Sequence, residues 1–223
     1  MIFFDIDATL LDHERAEKMG AIEFYKRYKD ELVYGELEFI DLWLNLSNKY
    51  YEKFLAKELS FQEQRRMRIR GLFRQHFKNE QADSLFNNYL ELYRRNWTGF
   101  EDVFPCLMQL KQQGQRLGII SNGDYNQQLE KIESIGIRNY FDCIFTSSEL
   151  RVSKPNPAIF QEACEQMNVQ VQNSYYIGDR LEIDAIGSKN AGMEGIWLNR
   201  KSKTKHPEVK VIHSLFELSA LVN

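Results

Sequence analysis

Met1-Ile2-Phe3-Phe4-Asp5-Ile6-Asp7-Ala8-Thr9-Leu10-Leu11-Asp12 is the stretch on which the fold turns. Its apolar run is too short for a helix and stops at Asp5. Two carboxylates then follow at alternate positions, with the Thr9 hydroxyl at the next. That pattern predicts a buried strand carrying acids at its carboxyl end. Residues two apart on extended backbone face the same way, so the Asp5 and Asp7 side chains converge only if the chain stays extended through Ile6. If it coils there, the Asp7 carbonyl turns toward the Asp5 side chain instead. Close carboxylates repel, and a hard divalent cation with oxygen ligands is the common remedy.

The 223 residues suffice for one domain plus a substantial insertion. With 29 Lys and Arg against 32 Asp and Glu, the net charge of −3 argues against a nucleic-acid partner, whose binding rests on phosphate neutralisation. Cys106, Cys143 and Cys164 have neither paired nor metal-ligand spacing, so they read as small buried hydrophobes in a reducing, cytoplasmic setting. The opening apolar run lacks a preceding basic region, which argues against a signal peptide, and no run of about 20 apolar residues predicts a membrane span.

From about Glu14 to Trp97 there is no proline, and dense charge is mixed with aromatics. Helical spacing predicts helices over Glu14 to Lys29, Leu37 to Lys57, a third from the capping box Ser60-Phe61-Gln62-Glu63 to about Phe77, and a fourth over Glu80 to Asn96. Their aromatics read as the core of a bundle. Arg66, Arg70 and Arg74 recur every fourth residue, as either a solvated face or an anion-capturing one.

After Pro105 strands alternate with helices: Arg116 to Ile120, Cys143 to Phe145, Tyr175 to Ile177, Gly195 to Leu198 and a short Val209 to Ile212, with helices over Cys106 to Gln113, Tyr125 to Ile135, to Met167, Asp184 to Ala191 and Ser214 to Val222. This predicts a parallel α/β sheet covered on both faces. Gly136 is placed to stop its helix in the left-handed conformation. In such sheets the functional crevice lies beyond the carboxyl ends of the strands, where Asp5 and Asp7, Ser121, Lys154, and Asp179 with Asp184 all fall. Each also has a bland reading: Ser121 as turn chemistry, Lys154 as a solvated lysine, Asp184 as an acid favourable to a helix N-terminus. Pro155 disfavours helical backbone at Lys154, while Asn156 and Pro157 suit an N-cap and first helical position.

Phe4-Asp5-Ile6-Asp7-Ala8-Thr9-Leu10, Ile119-Ile120-Ser121-Asn122-Gly123, Lys154-Pro155, and Ile177-Gly178-Asp179 followed by Asp184 resemble, in order, the four motifs of the haloacid-dehalogenase-like hydrolase superfamily. The resemblance implies a Rossmann-like catalytic core over residues 1–13 and 98–223, with residues 14–97 as an inserted helical cap. It implies hinges near Leu11 to Glu14 and Trp97 to Asp102, and a cap that closes to exclude water. It also implies Asp5 as nucleophile and Asp7 as acid and base. Mg2+ would be held by Asp5, the Asp7 carbonyl and Asp179, with Asp184 beside it. Ser121, Asn122, Lys154 and Thr9 would meet a small phosphomonoester. Gly is commoner than Ala8 in the family, and little consequence is expected.

The stretches Ser121-Asn122-Gly123, Ile135 to Asp142 and Trp197 to Arg200 look most like the nucleoside-monophosphate phosphatases. A phosphosugar phosphatase or mutase would use the same core. A carbon–halogen hydrolase generally lacks the second acid and the metal, so Asp7 and Asp179 count against it. A non-catalytic binding protein is the remaining alternative.

Overall fold

β1 (Ile2–Phe4), β2 (Leu117–Ser121), β3 (Cys143–Thr146), β4 (Tyr175–Gly178), β5 (Glu194–Leu198) and β6 (Lys210–Ile212) form one parallel sheet in the order β3-β2-β1-β4-β5-β6. The computed structural model describes residues 1–222. Every residue of β1 and β2 is buried, which is why they read as uninterrupted apolar runs rather than alternating ones. The connections leave β1 and its two neighbours toward opposite edges. This places the reversal of strand order, where such sheets hold ligands, at the carboxyl ends of β1, β2 and β4.

The chain divides into two compact units, one made of Met1–Asp12 with the chain from Thr98 onward, the other of His13–Trp97. In the helical unit, α1 (His13–Tyr28), α2 (Glu36–Leu55), α3 (Phe61–Leu72) and α4 (Asn79–Arg95) enclose Phe24, Phe39, Trp43, Phe86 and Tyr89. Ser60 and Glu63 satisfy each other's amides at the start of α3, at 3.2 and 2.8 Å. That helix stops at Leu72 rather than Phe77. Phe73 turns extended so that the Phe73 and Phe77 rings pack edge to face in the core, and Arg70 bonds the Phe77 carbonyl. Tertiary packing here overrides helical spacing. Two of the three arginines are likewise committed inside this unit: Arg66 forks onto Asp83 at 2.8 and 2.7 Å, and Arg70 also reaches Asn79, while Arg74 is exposed.

In the sheet unit, α5 (Val103–Gln112) starts before Pro105, which occupies an early helical position where its missing N–H is not needed. α6 (Tyr125–Ser134) is followed by Gly136 at φ +75°. α7 (Ser147–Leu150) and α8 (Pro157–Gln166) come next, with Asn156 Oδ1 accepting from the Ala158 amide. The expected helix from Asp184 is instead a π-helical turn, Leu181–Ile186, continued by α9 (Gly187–Asn190). The closing segment, Leu215–Ala220, is 3-10 helical. Cys106 and Cys164 are buried, and burial pushes the Cys106 thiol up to about 12. No helix among the described residues is long and apolar enough to cross a membrane.

Candidate active site

Asp5 directly follows β1, and its amide still bonds the Ile177 carbonyl of β4. Past Ile6 the chain coils: the Leu10 and Leu11 amides both return to the Ile6 carbonyl at 2.9 Å. The two acids therefore part company. Asp5 is buried, and its Oδ1 accepts from Ser121 Oγ at 3.1 Å and Lys154 Nζ at 2.7 Å. Asp7 turns toward α6, where Lys131 Nζ lies 2.7 Å from both its oxygens. The turn carries a cost that the sequence reading overlooked. Ala8 has φ +59°, the left-handed region where a Cβ is unfavourable, so the Gly-to-Ala departure is a strained position rather than an inconsequential one.

Ser121 is the last residue of β2 and is buried, not a turn residue at the surface. Asn122 forms a two-way lock with the third motif, its Oδ1 accepting from the Lys154 amide at 2.8 Å and its Nδ2 donating to the Lys154 carbonyl at 3.0 Å. Lys154 is no solvated lysine. The residue is 4% exposed, and its ammonium contacts Asp5, Asp184 Oδ1 at 2.7 Å and the Tyr176 hydroxyl at 2.6 Å. Burial alone would lower its pKa, but Asp184 and Asp5 hold it well above the ordinary lysine value.

Asp179 follows β4, and its carbonyl accepts from Trp197 Nε1. Asp184 arrives from the π-helical turn, buried, and accepts from both Lys154 and the Arg180 amide, so it serves the cluster and the start of its helix together. Gly178 is required beside it, because a Cβ there would run into the Asp184 carboxylate. Thr9 differs from the other sequence candidates. It is fully enclosed, its hydroxyl has no hydrogen-bond partner among the described residues, and its carbonyl accepts from Arg200 at 3.0 Å. Its carbonyl thus ties the turn to Arg200.

One carboxylate oxygen each from Asp5, Asp179 and Asp184 lies within 4.8 Å of the others. Burial pushes Asp5 up to about 6 against the pull of Lys154, with Asp184 and Asp7 adding to the rise. Burial, then the Asp5 and Asp184 charges, push Asp179 up to about 8. Three hard oxygen donors, two of them reluctant to ionise together, fit a divalent cation such as Mg2+.

The sequence profile of the haloacid dehalogenase-like hydrolases matches residues 2–198. The chain belongs to this family. Haloacid dehalogenase-like relatives include human N-acylneuraminate-9-phosphatase, 29% identical over 233 residues and covering 99% of this chain and 92% of that protein. Glyceraldehyde 3-phosphate phosphatase of Pyrococcus abyssi is 30% identical over 204 residues, covering 88% and 80%. Among solved structures, the magnesium-bound HAD-hydrolase YfnB from Bacillus subtilis superposes with a TM-score of 0.82 at 22% identity, covering 100% and 97%.

Four side chains of this haloacid dehalogenase-like site lie outside the motifs. Tyr176 sits inside an apolar strand, Gln128 and Lys131 on a helix of ordinary polarity, and Arg200 beside a basic loop. Arg200 closes the Trp197 to Arg200 stretch noted in the sequence, and Gln128 and Lys131 left only their i, i+3 spacing, which charged helices show routinely.

Proposed function

We propose that the chain is a Mg2+-dependent phosphatase acting on a small phosphomonoester through an aspartyl-phosphate. The observation that carries this reading is the Asp5 carboxylate, buried and gripped by Ser121 and Lys154 beside the Asp179 and Asp184 carboxylates. An Asp5 oxygen bonds to phosphorus as the bond to the leaving oxygen breaks, and Asp7 gives that oxygen its proton. Water then attacks the phosphoryl group, its proton passes to Asp7, and Asp5 is released with inorganic phosphate. Lys154, Ser121 and the Asn122 amide stabilise and orient the phosphoryl oxygens, which is most of what phosphoryl transfer asks of a protein. Asp5, the Asp7 carbonyl, Asp179 and Asp184 would hold Mg2+, whose chemistry is to neutralise charge between the nucleophile and the phosphate.

In this reading His13–Trp97 is the inserted cap. The relatives named above act on an acylneuraminate 9-phosphate and on glyceraldehyde 3-phosphate, as their names state, so a compact phosphorylated sugar or sugar acid is the substrate class we favour. A nucleoside monophosphate remains the competing class. Phosphate release from a panel of sugar and nucleoside monophosphates decides between them. Asp5→Asn must abolish release while the protein stays folded; wild-type-like turnover would refute the mechanism.

A further inference from the structure

Gln128 and Lys131 stand three residues apart on α6 and therefore share one face of it. Both are buried, at 2% and 4% exposure. Gln128 Nε2 donates to Ser121 Oγ at 2.8 Å and to the Asn122 carbonyl at 3.1 Å, and reaches Asp7 Oδ2 at 3.4 Å. Lys131 Nζ bonds both Asp7 oxygens at 2.7 Å. A continuous polar path thus runs from Asp5 through Ser121, Gln128 and Asp7 to Lys131.

A buried ammonium is expensive unless it is paired, and here its charge is set against a carboxylate that keeps 30% of its side chain exposed. The asymmetry has a use. An aspartate on a coil has several rotamers open to it; one pinned from its inner side by two donors from a helix has far fewer, while its outer side still meets whatever enters the site.

We propose that Lys131, seconded by Gln128, is a positioning residue that fixes the Asp7 carboxyl for proton transfer. This rests on the phosphatase reading above. As the bond from phosphorus to the leaving oxygen breaks and the Asp5 oxygen bonds to phosphorus, the Asp7 proton moves to the leaving oxygen. Lys131 meets both Asp7 oxygens and Gln128 reaches Oδ2, so together they fix the plane of the carboxyl from which the proton is passed. Lys131 itself forms no bond to substrate and gives up no proton.

The test compares two phosphomonoesters, using the full chain with saturating Mg2+. The leaving oxygen of p-nitrophenyl phosphate departs as a stabilised phenolate and needs little help, whereas that of glycerol 2-phosphate needs the proton. Positioned proton transfer contributes about 10²- to 10⁴-fold, so Lys131→Met should lower kcat/KM, which reads only the steps up to departure of the leaving group, by about 10- to 100-fold on glycerol 2-phosphate and by less than about threefold on p-nitrophenyl phosphate. In an Asp7→Ala background the same substitution should cost nothing further. If Lys131→Met does not fold, Gln128→Met carries the same comparison, with a smaller loss of the same selectivity. Equal losses on both substrates, alongside a selective loss in Asp7→Ala, overturn this inference alone. An Asp7→Ala variant with no selectivity overturns the assignment of Asp7, and the inference with it.

Discussion

Tyr176 accepts a hydrogen bond from Lys154 Nζ at 2.6 Å and donates its own hydroxyl to the Ile120 carbonyl at 2.7 Å. The ammonium also stands 5.2 Å from the centre of the Tyr176 ring. A phenol in the middle of a buried strand thus sets where Lys154 sits between Asp5 and Asp184.

Tyr176→Phe keeps the ring and removes the hydroxyl. Lys154 loses one of three oxygen contacts, and Ile120 a donor. Stability should fall by about 1–2 kcal/mol in denaturant titration, the usual penalty for leaving a buried polar group unsatisfied. The loss in kcat should exceed the change in KM, because Lys154 acts on charge that develops during transfer. Wild-type kcat in a folded Tyr176→Phe protein would remove the hydroxyl from any functional account.

Asp5 and Asp179 titrate near 3.8 when unfolded and at about 6 and about 8 in the folded, metal-free chain. Between those values the folded state holds more protons than the unfolded one. Its stability is therefore fullest at acid pH and drains away as pH rises through the folded pKa values. With EDTA present, the contribution of these groups should lower Tm between about pH 4 and about pH 8. Magnesium competes with the protons, so its stabilising increment should grow over the same range. A Tm increment from Mg2+ that is flat with pH would argue against this cluster as the metal site.

Ala8→Gly relieves the left-handed strain at φ +59°, worth about 1–2 kcal/mol, but loosens the unfolded chain by about 0.5–1 kcal/mol. The net expectation is a gain on the order of 0.5 kcal/mol, read from the denaturation midpoint. A loss greater than about 1 kcal/mol would mean that the Ala8 methyl group makes contacts outweighing the strain.

Arg200 forks onto Asp102 at 2.8 and 2.9 Å, and the same Asp102 accepts from Ser214 Oγ and the Leu215 amide. Burial would raise the Asp102 pKa, but these donors outweigh it and hold it below the ordinary value. Asp102→Asn should cost about 2–4 kcal/mol near neutrality, since Arg200 is left without its countercharge. The penalty should shrink as pH falls through the folded Asp102 pKa, where the wild-type carboxylate is itself neutralised. Because Arg200 also holds the Thr9 carbonyl, activity should drop more than folding alone explains. A penalty that does not change with pH would deny the pair its charge.

Sequence was informative where backbone period and burial agree. β1 and β2 are covered on both faces, so apolar runs ending in Asp5 and Ser121 were visible without a structure. Helix existence followed from spacing, but the end of α3 did not, because Phe73 and Phe77 reach the core more effectively from extended chain than from another turn. The π-helical turn at Asp184 was hidden for a similar reason. Its residues are ordinary helix formers, and only the need to bring Asp184 against Lys154 reveals it. Asp5, Ser121 and Asp179 stand at strand ends, and Lys154 and Asp184 in the segments that follow β3 and β4, where topology gathers them. Tyr176 and Lys131 could not be picked out, and Arg200 was seen only as part of a resembling stretch, because their roles depend on side-chain direction, which residue identity does not encode.

β1 lies at the middle of the sheet, where Ile2 pairs with both Leu117 and Tyr175. During synthesis it leaves the ribosome long before either neighbour exists. Its apolar residues must wait, unpaired, while the contiguous segment His13–Trp97 already has everything needed to close its own core. The nascent chain therefore carries a sticky, partnerless strand until Leu117 and Tyr175 have been made, and that interval is when a chaperone would find it.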